Sequence, residues 1–376
     1  MIAAAYAPPA ARTSGTIEAV LTHGTIAVRN LDAQIAGLEP DATLCNVRIE
    51  ERVLHIDLLA LRGSILGIIA DYERANELAH ALVCDAVSDA AAFFARARTR
   101  ALFHRFGDAL DDLDVAERLA ADAEIVNRER AAVFQGLGRY VEAFAMREEI
   151  AQRYPSFENL GALATLCAEA GDTERASRLH AESLRCYRGV SPLPLAILDF
   201  QIGVMWMHNG ELDCARDHLR AARRYVPAYA PAQGHLAEVE AELGNVEIAM
   251  GLLNPLAITS DDPDYAAQLS RILVGAGCAE DSRHWRQLAA VRYDELVALH
   301  AEAFADHAAE FWLGVGADPK KALRLARMNF AIRKTPRAYA LLFRAVAAND
   351  AVNAWCSWNP ETSRSMTSPP NGRSMQ

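Results

Sequence analysis

The chain has 376 residues, a formal net charge of -11 and 52% hydrophobic residues, of which aromatics are only 7% of the chain. That length exceeds one compact core of ordinary size, so it implies two or three domains or one repeat array. Burial carried by alanine and leucine suits close-packed helices better than sheets, and the negative charge repels a nucleic-acid backbone over most of the surface.

In chain order, the opening MIAAAYAPPAARTSG lacks a basic start, and Pro8 and Pro9 interrupt its apolar stretch, so it does not read as a signal peptide. Residues 1–45 are expected to form an N-terminal segment, part of it a capping helix. The apolar window from Leu58 to Ala70 is too short to span a membrane and contains Arg62; it reads as a buried helix. The seven cysteines, at 45, 84, 167, 186, 214, 278 and 356, form no C-x-x-C pair and are odd in number. They read as small buried hydrophobes in a reducing compartment, which makes the cytoplasm the expected location.

A short pattern then recurs: a small or turn-permitting residue, a polar one, and alanine five places on. It occurs at Ala70–Ala75, His104–Ala109, Gly138–Ala143, Gly171–Ala176, Gly210–Ala215, Gly244–Ala249, Gly277–Ser282 and Ala317–Ala322. The starts are 34, 34, 33, 39, 34, 33 and 40 residues apart, close to a period of about 34. Physically this is a tight turn between antiparallel helices. Glycine supplies a left-handed C-terminal cap, Asp or Asn caps the next helix, and alanine lets the backbones approach. Before Gly171, Leu160, Leu163, Ala164 and Cys167 form one apolar stripe after a candidate N-cap at Ser156. Pro155 and Pro227 follow their turn glycines by 17 residues, where they end the second helix.

With these residues the chain resembles the tetratricopeptide repeat family, and in particular bacterial members of unassigned function. The family's small residue seven before the turn is matched by Ala131, Ala164, Gly203 and Ala237, whereas Ser270 and Glu310 depart from it. The resemblance implies an all-α, right-handed superhelical solenoid of about eight helix-turn-helix repeats over residues 46–350. Residues 351–376, rich in Ser, Thr, Pro and Asn, read as a disordered tail. The two long intervals mark insertions: RCYRGVSPLP at 185–194 as a loop, and the stretch between Gly277 and Ala317 as a lengthened helix pair.

Chemical motifs lead elsewhere. His300 and His307 are seven residues apart, too far along a helix to chelate, and no catalytic or metal-ligating set and no cofactor site is expected. Gly275–Gly277 reads as a helix-ending turn, and Asp261, Asp262 and Asp264 as a solvated turn between repeats. Trp206, Trp285 and Trp312 are expected to pack between helices; Trp355 and Trp358 stand at the edge of the tail.

The resemblance implies that groove positions lie ten, six and three residues before each turn. Counting back gives Phe94, Arg98, Arg128, Gln135, Thr165, Phe200, Val204, Met207, Glu238, Arg271, His307 and Phe311. The expected function is a non-catalytic scaffold or adaptor whose groove holds a peptide or helix of another protein. The asparagine and lysine set of the chaperone-tail carboxylate clamp is absent. A helical-repeat RNA reader is the second reading, opposed by the acidic balance, and an enzyme is the third.

Overall fold

The computed structural model describes residues 21–39 and 48–358, with side chains for all of these except 353–358. Among the described residues there are eighteen helices and no strand: α1 (Gly24–Leu38), α2 (Ile49–Leu66), α3 (Ile69–Asp85), α4 (Ala90–Leu102), α5 (Phe106–Arg118), α6 (Ala123–Leu137), α7 (Tyr140–Arg153), α8 (Phe157–Glu169), α9 (Thr173–Cys186), α10 (Leu193–His208), α11 (Leu212–Tyr225), α12 (Ala230–Glu242), α13 (Val246–Thr259), α14 (Pro263–Gly275), α15 (Ala279–Leu299), α16 (Ala301–Leu313), α17 (Pro319–Ile332) and α18 (Pro336–Trp358). The chain is an all-α solenoid of the tetratricopeptide type. Its eight helix pairs run from α2 with α3 to α16 with α17, and α1 and α18 flank them. Residues 40–47 and 359–376, including Cys45 and most of the expected tail, lie outside the described residues; α18 itself continues past position 351.

The turn chemistry explains why the pairs form where they do. Gly138, Gly171, Gly210, Gly244 and Gly277 have φ between 77° and 86°, and the next helix starts two residues later in each case. The following N–H reaches back five residues, as in Arg139 to Phe134 and Asn245 to Glu240, and closes a Schellman cap. Gly138 has a second reason to be glycine, because a Cβ there would collide with the Lys334 carbonyl. His104 and Ala317 occupy the same position with φ 54°, so two repeats hold a left-handed residue without glycine. The first repeat differs from expectation: its turn is at Gly67, φ 66°, and Ala70 lies inside α3. The window from Leu58 to Ala70 therefore spans two helices, and no helix among the described residues is long and apolar enough to cross a membrane.

Small residues at the crossings set the packing. Ala109, Ala143, Ala176, Ala215, Ala249 and Ala322, five after their turns, are fully buried. So are Ala131, Ala164 and Ala237, seven before. At Gly203 a Cβ would sit 2.8 Å from Leu219 Cγ. In the seventh repeat both places are serine. Ser270 Oγ donates to the Ser282 carbonyl and Ser282 Oγ to the Ser270 carbonyl, each at 2.9 Å, so each hydroxyl finds its acceptor on the other serine inside the crossing. In the eighth repeat Asp318 N bonds Trp312 O, six residues back. The turn holds one extra residue, and the buried Ala309 takes the small-residue place that counting had assigned to Glu310. Cys167 is buried as expected, but Cys84 and Cys278 are exposed; the five cysteines whose side chains are described are all unpaired.

Successive turns of the superhelix touch. Asp261 carboxylate oxygens accept from Ile69 N at 2.6 Å and Ala70 N at 2.9 Å, and Ser260 Oγ donates to the Gly67 carbonyl. His104 Nδ1 lies 3.0 Å from Glu302 O, Arg105 reaches His300, and Arg333 Nε donates to Gly136 O at 3.1 Å. All six contacts join residues 191 to 198 apart, between five and six repeats of about 34 residues. The acidic cluster is thus not a solvated turn. Asp261 caps α3, and Asp262 caps α14 through Asp264 N. Burial pushes the Asp262 carboxyl up to about 6. His300 also departs from expectation: it sits between α15 and α16, stacks on Phe103 with ring centroids 4.2 Å apart, and meets Glu73 at 3.1 Å.

Candidate ligand groove

The first helix of each pair supplies the counted groove positions. On α4, Arg98 pairs with Asp57 of α2 at 2.7 Å and its guanidinium lies 5.0 Å from the Phe94 ring centre. On α6, Arg128 pairs with Glu124 at 3.0 Å. Neither arginine is a free cation. Gln135 Nε2 donates to Glu169 of α8 at 2.8 Å, and Thr165 Oγ1 donates to the Gly161 carbonyl at 3.1 Å.

Along α10, Phe200 and Met207 pack half-buried against the core shared with α12, and Phe200 meets Tyr229 edge to face. Val204 is half-buried beside them. Glu238 of α12 pairs with Arg271 of α14 at 3.1 Å. His235, its Nδ1 3.6 Å away, together with Arg271 holds the Glu238 carboxyl down to about 2. His307 stands next to Asp306 in the middle of α16. Phe311 is a correction: at 4% exposure it belongs to the core, touching Tyr293 and Trp312. The extra turn residue moves the register by one, so Glu310 comes to the place assigned to Phe311, where it pairs with Arg344 of α18. Trp206, Trp285 and Trp312 pack against core clusters as expected.

Three contacts join neighbouring repeats as rungs of a ladder with gaps between them: Gln135 with Glu169, Glu238 with Arg271 and Glu310 with Arg344 are 33 or 34 residues apart. Within the ladder lies a cluster that counting did not reach. Charge interactions link Glu129 to Arg98, Asp57, Arg128 and Arg147, and Arg147 to Glu169. Burial pushes the Asp57, Glu129 and Glu169 carboxyls above their ordinary value and the Arg147 guanidinium below it. Glu169 nevertheless keeps solvent contact. The Nε atoms of Arg98, Arg128 and Arg147 are buried without an acceptor. Glu129 was adjacent to a counted position, and Arg147 belongs to the second helix, which the count omits. Thr165, the α10 residues and His307 are not drawn into this cluster. Among the described residues no group of His, Cys, Asp and Glu is arranged to hold a metal ion.

Among solved structures, the chain is similar to a human IFIT1 dimer with m7Gppp-AAAA, at 15% identity over 86% of this chain and 76% of that chain, with a TM-score of 0.51. It is similar to a tetratricopeptide repeat protein from Parabacteroides merdae, at 13% identity over 75% of this chain and 98% of that one, TM-score 0.41. A third is PilW, a widely conserved type IV pilus biogenesis factor, at 16% identity over 56% and 92%, TM-score 0.44. No protein-family profile and no curated protein matches the chain. At these identities the IFIT1 likeness speaks to the fold alone.

Proposed function

We propose that the chain is a non-catalytic cytoplasmic scaffold that holds a peptide or helix of another protein along its first-helix surface. One observation carries this reading. Arg98, Arg128 and Arg147, each with a buried Nε that has no acceptor, stand among Asp57, Glu129 and Glu169. A buried donor left unpaired costs about 1–3 kcal/mol, and a bound polypeptide brings carbonyls and side chains of both signs to meet the cluster. A phosphate chain brings only negative charge, which the carboxylates oppose.

RNA binding is the competing reading, since IFIT1 is described with m7Gppp-AAAA. A photo-crosslinking residue placed at Thr165 in the groove, or at the exposed Lys320 as control, separates the two in the native cell. Protein adducts from position 165 alone, resistant to RNase, are expected. Adducts lost on RNase treatment, or equal yields from both positions, would overturn the scaffold reading.

A further inference from the structure

The junction of the seventh and eighth repeats, where the period lengthens to 40 residues, holds a cavity of about 560 Å³. Its walls are Arg271 and Val274 of α14, Arg283 and Arg286 of α15, and Gly314 and Val315 of the α16–α17 turn. Arg283 and Arg286 are one helical turn apart, so both reach the same opening. Both are exposed, and among the described residues neither has a carboxylate within ion-pairing distance, whereas Arg271 is shared with Glu238. No carboxylate and no aromatic ring lines the cavity. In a chain of net charge -11, this is a local concentration of uncompensated positive charge with an aliphatic floor.

We infer that this cavity is a second binding site, distinct from the groove cluster, for an acidic peptide segment of a partner protein that carries an aliphatic side chain. The inference rests on the reading that the chain holds other proteins. Guanidinium groups take carboxylates in forked hydrogen bonds, and Val274 and Val315 offer the apolar contact. Single-stranded RNA would add little beyond its phosphates, because base recognition leans on aromatic stacking.

The test uses the full chain and a fluorescein-labelled (Glu-Glu-Leu)2 peptide, with the (Gln-Gln-Leu)2 peptide and a labelled hexa-adenylate as comparisons, read by fluorescence anisotropy. The acidic peptide binds and its glutamine counterpart does not. R283E/R286E weakens binding about tenfold or more, R283Q/R286Q by less, and R118E/R224E, an equal charge change at exposed arginines of other repeats, leaves it unchanged. Absence of acidic-peptide binding, equal losses from both charge-reversed pairs, or hexa-adenylate binding through Arg283 and Arg286 at equal strength overturns the proposal. If the proposal is overturned while groove crosslinks at position 165 persist in the unmodified chain, this site alone has failed; their absence in the unmodified chain marks failure of the scaffold reading.

Discussion

Ser270 and Ser282 fill the crossing where other repeats place alanine, and each hydroxyl satisfies the other's carbonyl. Removing one hydroxyl takes away one bond and leaves the other buried hydroxyl without its Oγ neighbour 3.1 Å away, while removing both restores the apolar crossing of the neighbouring repeats. S270A or S282A alone is therefore expected to cost about 1 kcal/mol and the double variant less than the sum. Urea midpoints of the three variants measure this, and additive losses would refute the reciprocal bond. His180 presents the opposite case: both ring nitrogens are buried without a partner, and burial lowers its pKa to about 4 from the model-compound 6.5. The folded state then binds fewer protons than the unfolded chain, so the neutral ring's contribution is complete above about 6.5 and is lost as pH falls toward 4. H180L removes that dependence. Its advantage over the native chain should grow by about 1–3 kcal/mol between pH 7 and pH 4, read from urea midpoints across that range, and a constant difference would contradict the burial argument.

Helix pairs were legible in the sequence because their signal is local. A left-handed cap, a helix start two residues later and a small residue at the crossing all fall within one repeat, so Gly138 through Gly277 could be placed by counting. Counting failed where a residue was inserted or where the cap looked ordinary. Gly67 was passed over for Ala70 because the alanine five places on from it, Ala75, is buried in either register, and the extra residue before Ala317 turned Phe311 from groove to core. The groove was readable to the same depth: Arg98 and Arg128 were found, but their pairing with Asp57 and Glu124 depends on neighbouring side chains that the period does not specify. Ala317 also gives a prediction at this scale. Its φ of 54° strains an L residue by about 1–2 kcal/mol, partly offset in glycine by the greater freedom of the unfolded chain. A317G should therefore raise stability by about 0.5–1 kcal/mol, visible as a higher thermal midpoint, and a lower midpoint would mean that the methyl group packs usefully in the turn.

A repeat array in which each unit touches only its neighbours behaves as a one-dimensional spring, but here a second set of contacts closes the coil on itself. The sequence does not announce that seam. Its residues are far apart in the chain and follow no period, its apolar part sets Ile65 and Leu66 of α2 against Val226 and Tyr229, and Asp261 and His300 resemble loop residues until the coil brings Ile69 and Glu73 to them. Two of its elements are separable from the crossings: Asp261, which accepts from the first N–H groups of α3, and Arg333, which donates to the Gly136 carbonyl and pairs with Asp306 at 3.2 Å. Neither forms part of the apolar packing within a pair. D261A/R333A should accordingly leave helix content unchanged while letting the successive turns part, so small-angle scattering should report a larger radius of gyration with an unaltered far-UV spectrum. The pair Asp294 and Lys321, an ion pair of the seventh and eighth repeats outside the seam, supplies the control: D294A/K321A should change neither quantity. A compact D261A/R333A variant with native helicity would mean that apolar packing, within the repeats and between Ile65 and Tyr229 across the turns, fixes the pitch without the polar contacts.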